Sequence, residues 1–288
     1  MSQTAGLARG RERGTGLRAG VLLIGALLAG CAPFPAARQD PGGDAWRVAP
    51  RRTHTLHYAA GNRGAASDVS RMVRAGVRQV EGFFGSPFAG PFDLRVFPDR
   101  DSLTAYWRRA WNAPEFEPQC WMVASGTART LAVLSPEAWK TEACEHDPSD
   151  RSAAQMLLTH ELVHVYHGQR NPDPEFQNAE EIGWFVEGVA VFASGQLDGA
   201  RTRRAREALA SGKGPGRLTD VWSGPDRYGF AGSLVRHIDR TRGRSALIRL
   251  LGCRSNGEIL LTLGTTEEEL LSRWKEDLSQ SGQAAGGG

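Results

Sequence analysis

The stretch LLTHELVHVYHGQ, residues 157–169, sets three histidines and a glutamate among apolar side chains. Ser149-Asp150 offers an N-cap upstream and Asn171-Pro172 a stop downstream, so a helix running to Gly168 is predicted. On that helix His160 and His164 lie one turn apart on one face, about 6 Å apart along the axis, and both imidazoles can converge on a single ion. Glu161 lies about 100° round the helix, so it does not compete as a ligand but can reach a water bound to the ion. Two neutral imidazoles suit zinc, which takes three protein ligands and one water when it is catalytic. His167 is about 10.5 Å along the axis from His160, and joining the same small ion from there would be strained. It reads as a residue lining the cleft or supporting a ligand, or as a hydrogen-bonded histidine near the helix end.

The third ligand decides the class. A metzincin pattern would demand glycine at 167 and histidine at 170, and the chain has His167 and Arg170. A glutamate on a following helix is the alternative, and GWFVEGVAVFAS supplies Glu187 after a gap wide enough for a loop and an antiparallel return helix. A carboxylate among Trp184, Phe185, Val186, Val189 and Val191 is costly unless it is paired or bound to a metal, which argues for coordination. Gly188 and Ala190 beside it are expected to let the two helices approach closely.

HELVH followed by WFVEGVAVF, then by RYGFAGSLVRHIDRTRG and LGTTEEELLSRW, resembles the gluzincin zinc metallopeptidases of the MA clan, in particular the bacterial peptidase MA-like families. The resemblance covers most of residues 55–278 and is strongest over 155–195. It implies an α+β fold with a thermolysin-like (zincin) catalytic domain, in which a mixed sheet packs on the metal-bearing helix and a helical C-terminal half follows. It implies Zn2+ on His160, His164 and Glu187, Glu161 as general base in hydrolysis of a peptide bond, and an endopeptidase acting on protein or peptide substrates. The strand TLAVLSP would lie beside the cleft and pair with an extended substrate. Tyr228 is the first candidate for donor to the developing oxyanion and His237 a second. One position departs from the pattern: Val191 stands where thermolysin-type sites often carry an aspartate that orients the first histidine, so Asn178 or a backbone carbonyl would have to do that work. The competing reading is a non-catalytic envelope lipoprotein that binds partners through a zincin-like cleft. A Glu161→Gln change separates the two, since only the enzyme depends on that carboxylate.

The chain as a whole is consistent with an exported globular protein. Its 288 residues, 40% apolar and 23% charged, suffice for one large domain. The net charge of +3 resides near the start: taking the four arginines and one glutamate of residues 1–30 from 35 basic and 32 acidic residues leaves the two signs equal. A neutral remainder gives no reason to expect nucleic acid as a partner. Residues 1–30 read as a secretory signal, with an arginine-bearing start and the apolar run VLLIGALLA, which is too short to span a bilayer as a permanent helix. It ends in Leu28-Ala29-Gly30-Cys31, which resembles the lipobox of bacterial lipoproteins. That resemblance implies cleavage before Cys31 and a lipid on its thiol. Ala32 rather than aspartate follows, which points to the periplasmic face of the outer membrane where a cell has two membranes.

Residues 31–52 lack periodicity and are expected to be a flexible tether; residues 53–278 form one domain, and residues 279–288 a disordered tail. Export permits disulfides. Of the remaining cysteines, Cys120 and Cys144 bracket a segment with strand and turn signals and are the favoured pair, although spacing does not fix connectivity. Cys253 reads as a small buried hydrophobe. Alternation marks strands in THTLHYA and FDLRVF and a hairpin between Trp121 and Leu134. Helical spacing marks Val69, Met72, Val73, Val77, Val80, Phe83 and Phe84, and a second helix after Pro98-Asp99. Further helices are expected over about 180–194, over about 228–240, and in TTEEELLSRWKEDL behind a Thr266/Glu269 capping box. The basic run RTRRAR reads as solvated surface.

Overall fold

Alternation in HTLHYA, FDLRVF and TLAVL places large apolar residues on one side of a sheet, and helical spacing elsewhere supplies the faces that cover it. The computed structural model describes residues 46–280. The expected signal segment, Cys31 and the first part of the expected tether lie outside the described residues, as does nearly all of the expected tail. Among the described residues five strands and ten α-helices make an α+β domain. The first half holds β1 (Trp46–Pro50), β2 (His54–Ala59), α1 (Arg63–Phe84), β3 (Phe92–Phe97), α2 (Arg100–Ala110), β4 (Ala124–Thr127), β5 (Thr130–Leu134) and α3 (Trp139–Glu142). The second half is helical: α4 (Arg151–Gly168), α5 (Gly183–Ser194), α6 (Gly199–Ala210), α7 (Arg227–Arg242), α8 (Arg244–Leu250), α9 (Asn256–Leu263) and α10 (Glu267–Gln280).

The sheet order is β1-β2-β3-β5-β4, with the three inner strands parallel and both edges antiparallel. Register aligns Leu56 with Leu94 and Leu94 with Leu131, so one row of leucines crosses the inner strands. That row, with Val96 and Val133, packs against Val69, Val73, Val77 and Val80 of α1 and Leu158 and Leu162 of α4 in the main core. The opposite face carries Phe97, Ala132 and Leu134 and is covered by Leu103 and Trp107 of α2 in a second, smaller core. Each fully buried aliphatic or aromatic side chain contributes about 1.5–3 kcal/mol. The two-sided covering therefore holds the inner strands in register, because a one-residue slip would exchange their faces.

Three expectations about boundaries and edges are corrected. Residues 46–50 are not part of a tether but the edge strand β1, paired from Trp46↔Ala59 to Pro50↔Thr55; a terminal strand position tolerates Pro50 because its missing N–H removes no inner ladder bond. The tail does not begin at 279, since α10 continues to Gln280. The strand TLAVLSP cannot pair with a substrate, because β5 is bonded by β3 on one side and β4 on the other. The edge on that side of the sheet belongs to β4. Leu134 N–H donates to the Val123 carbonyl, so by antiparallel alternation Ser125 and Thr127 face β5 while Ala124 and Gly126 turn their backbone groups away. The expected Thr266/Glu269 capping box forms at the start of α10, and RTRRAR lies on α6 with only Ala205 of that run buried.

His54 at the start of β2 is buried beneath Phe92, with Nε2 3.0 Å from Ser70 Oγ and Nδ1 3.1 Å from Thr53 Oγ1. Burial first, then the charges of Arg74 and Arg51, lower its pKa to about 4. The unfolded chain therefore binds a proton that the folded one refuses, and this contribution to stability is full above about pH 6.5 and lost as pH falls toward 4. Urea midpoints measured across that window should drop less in His54→Gln than in the parent protein; equal drops would show that His54 does not set the acid sensitivity.

Candidate metal centre

Helix α4 starts where the Asp150 carboxylate accepts from Ala153 N–H at 2.9 Å. From Leu158 to Gly168 nearly every residue is buried, because this half of the helix is covered by α1, the sheet, β4 and α5 together. Apolar residues therefore surround the polar ones on all sides. Helix α5 is equally buried and returns alongside, bringing Glu187 to the two histidines.

The three side chains meet. His160 Nε2 is 3.1 Å from His164 Nε2, and Glu187 Oε2 is 3.3 Å from the first and 3.7 Å from the second. The imidazole planes stand 81° apart, and both Nε2 atoms lie within 3.7 Å of the Glu187 carboxylate. These three residues form a group that could hold a metal ion. Burial opposes the charge on Glu187, but the charge of His164 and hydrogen bonds from both imidazoles outweigh it and hold the carboxyl far below its ordinary range. Burial likewise pulls His164 down, while the charge and hydrogen bond of Glu187, with the charge of Glu161, hold it above its ordinary value.

Glu161 behaves in the opposite sense. Burial pushes its carboxyl above the ordinary range and Glu187 adds to that, against the two histidines and a hydrogen bond from the Gly126 N–H. Gly126 belongs to β4 and presses on the helix: a Cβ there would stand 2.1 Å from the Glu161 carbonyl oxygen. Only glycine lets strand and helix come this close. Gly188 serves a different contact from the one expected, since its absent Cβ would meet the Ala231 carbonyl at 2.6 Å. It brings α5 against α7 rather than α4. Tyr228, one turn before Ala231, thereby stands beside the Glu187 side of the centre. Burial raises the Tyr228 phenol and the charge of Glu187 adds to this, opposed by Arg227. Its ring meets Trp222 edge to face at 4.8 Å between centroids.

Other expected residues fall elsewhere. His167 is fully buried between Phe176 and Phe185 and is not part of the group. Burial, then the charge of His164, lower its pKa to about 3; the Leu251 carbonyl is its nearest acceptor, yet neither ring nitrogen makes a hydrogen bond of ordinary geometry. His237 is no candidate for the oxyanion, because it lies nine residues along α7 from Tyr228 and bonds Asp277 of α10 at 3.0 Å. Asn178 does not orient a histidine either. It is exposed, and its N–H is bound to Asp173, whereas Nδ1 of His160 and of His164 is buried with no partner among the described residues. Cys120 and Cys144 are joined as a disulfide, and Cys253 is a buried free thiol.

Three residues of the site were not anticipated: Gly126, Trp222 and Arg227. A glycine inside the short strand ASGT is a readable signal of close backbone approach. Trp222 sits on an irregular segment before α7 and Arg227 is the first residue of that helix, and neither carries a periodic signal. No protein-family model matches the chain, and no curated protein matches it.

Titration of the purified protein with Zn2+ should reach one equivalent. Glu187→Ala should bind at least about a hundredfold more weakly, since even residues that only support metal ligands contribute tenfold to a hundredfold. Equal affinity in the two proteins would remove Glu187 from the site.

Proposed function

We propose that this chain is a zinc-dependent metallopeptidase with a thermolysin-like site. The observation that carries the proposal is the size and chemistry of the His160–His164–Glu187 triangle with a second carboxyl, Glu161, beside it. Zinc bound tetrahedrally at about 2.0–2.1 Å requires ligand atoms about 3.3–3.4 Å apart. The three separations of 3.1, 3.3 and 3.7 Å fit that requirement, and two imidazoles with one carboxylate form the donor set of a catalytic rather than a structural zinc. The antiparallel edge strand packed on the ligand-bearing helix supports the same reading.

His160, His164 and Glu187 would hold the ion, whose chemistry is Lewis acidity: it polarises a carbonyl and acidifies water. The chain supplies the rest. Glu161, with its carboxyl raised by burial, takes a proton from the attacking water on a carboxylate oxygen and passes it to the leaving amine nitrogen. The Gly126 N–H holds that carboxyl in place. The Tyr228 hydroxyl accepts from Arg227 and donates its own proton to the developing oxyanion. Ala124 of β4 has backbone groups turned away from β5, which suits pairing with an extended peptide.

The same proposal places the protein in the cell envelope, tethered by a lipid on Cys31. The Cys120–Cys144 disulfide suits an oxidising compartment. No described helix is long and apolar enough to cross a membrane.

Glu161→Gln should keep its zinc and lose peptide hydrolysis by a factor of about 100 to 10,000. Tyr228→Phe should lower kcat more than it raises KM. Unchanged hydrolysis in Glu161→Gln would reject the mechanism and leave the non-catalytic reading. Cys31→Ser should move the protein from the membrane fraction to the soluble one, and an unaltered distribution would reject the anchor.

A further inference from the structure

Arg227 is a half-buried cation without an acid. Its guanidinium carbon lies 5.2 Å from the centroid of the Tyr228 ring and 5.5 Å from that of Trp222, so two aromatic faces hold it. The nearest backbone acceptor is the Gly224 carbonyl at 3.4 Å. No ion pair to Arg227 occurs among the described residues, and the adjacent Asp226 is engaged by Arg204 at 3.2 Å. Other half-buried arginines are held differently: Arg244 pairs with Asp239 at 2.6 Å, and Arg170 donates to the Tyr166 and Pro87 carbonyls.

Its place in the fold makes the missing counter-ion meaningful. The contact of Gly188 with Ala231 packs α7 on α5; Tyr228 near its start feels the charges of Glu187 and Glu161, and Arg227 lies against the Tyr228 ring. The acidic groups facing that centre are Glu161 and Glu187, which repel a second anion. A cation beside Tyr228 offsets that repulsion at one point and leaves it elsewhere. Guanidinium is weakly hydrated, planar and suited to bidentate contact with a carboxylate, and stacking on two rings presets its orientation.

We propose that Arg227 makes this cleft selective for substrates that present a carboxylate next to the scissile bond, either an acidic side chain or the peptide's own C-terminus. The proposal rests on the peptidase reading and names its substrate class.

The test uses the full-length zinc-loaded protein and peptides that differ at single positions: glutamate against glutamine on either side of the scissile bond, and a free C-terminus against its amide. The carboxylate member of one pair should be favoured about tenfold in kcat/KM, mainly through KM, the size of one charge-assisted contact at a half-exposed site. The pair that shows the preference tells side chain from terminus. Arg227→Gln should abolish the preference, Arg227→Lys should keep part of it, and Arg227→Glu should turn it toward lysine-containing peptides. High salt should shrink it in the parent protein, which a purely structural arginine would not cause. No preference in the parent, or one that survives in Arg227→Gln, overturns the proposal while leaving the peptidase reading intact. If no peptide is cut, the peptidase reading fails, and fluorescence anisotropy with the same labelled peptides decides Arg227: unequal affinities equalised by Arg227→Gln uphold the anion site, and equal affinities reject it.

Discussion

A carboxylate enclosed by helices is the constraint around which this domain is arranged. Glu187 lies in a helix among Trp184, Phe185, Val186, Val189, Ala190 and Val191, and an unpaired charge there would be strongly destabilising. Two imidazoles within 3.7 Å answer that charge. Their presence requires α4 to run alongside α5 at a fixed register, and that register in turn decides which residues of α1, α7 and the sheet can touch the pair. Gly188 allows α7 to close on α5 from the far side, and Gly126 allows β4 to close on α4. Each close approach places a functional group: Tyr228 and Arg227 in the first case, an N–H to Glu161 in the second.

The two glutamates show how position divides one residue type into two roles. Glu187 faces His160 and His164 and is held ionised, the form in which a carboxylate can bind a metal. Glu161 is one step round the helix from His160, and there burial outweighs the charges of the two histidines and raises its carboxyl. Pairs of carboxyls pushed apart in this way are the pattern of sites that need one permanent anion and one group able to carry a proton.

The histidines are less well supported from behind. Both Nδ1 atoms are buried without an acceptor, and the residue at the position of the expected carboxylate is Val191, itself packed in the core against the space above Gly232. Ring orientation here is secured by packing instead, with Phe176 against both His164 and His167. His167 is part of that packing, a neutral ring between Phe176 and Phe185 that fills the space below the ligands.

Local rules made much of this legible. The cap at Asp150, the four-residue step from His160 to His164, the apolar surroundings of Glu187, the alternation of FDLRVF and the Thr266/Glu269 box each depend on neighbours within a few residues, and so they can be read along the chain. Edge and partner relations cannot, because strand order is settled by which faces find cover. TLAVL reads as a strand, but only the sheet makes β5 an inner strand and gives the edge beside it to ASGT. WRVAP lacks any alternation of its own and becomes a strand only because β2 offers an unpaired edge. Gly188 announces a close contact without saying that α7 makes it. Arg227 is one arginine among many in sequence, and its aromatic bed exists only once Trp222 and Tyr228 have been folded together. The sequence by itself determined which residues could bind a metal; the tertiary packing decided their distances, their charges and their neighbours, because those depend on contacts between segments far apart in the chain.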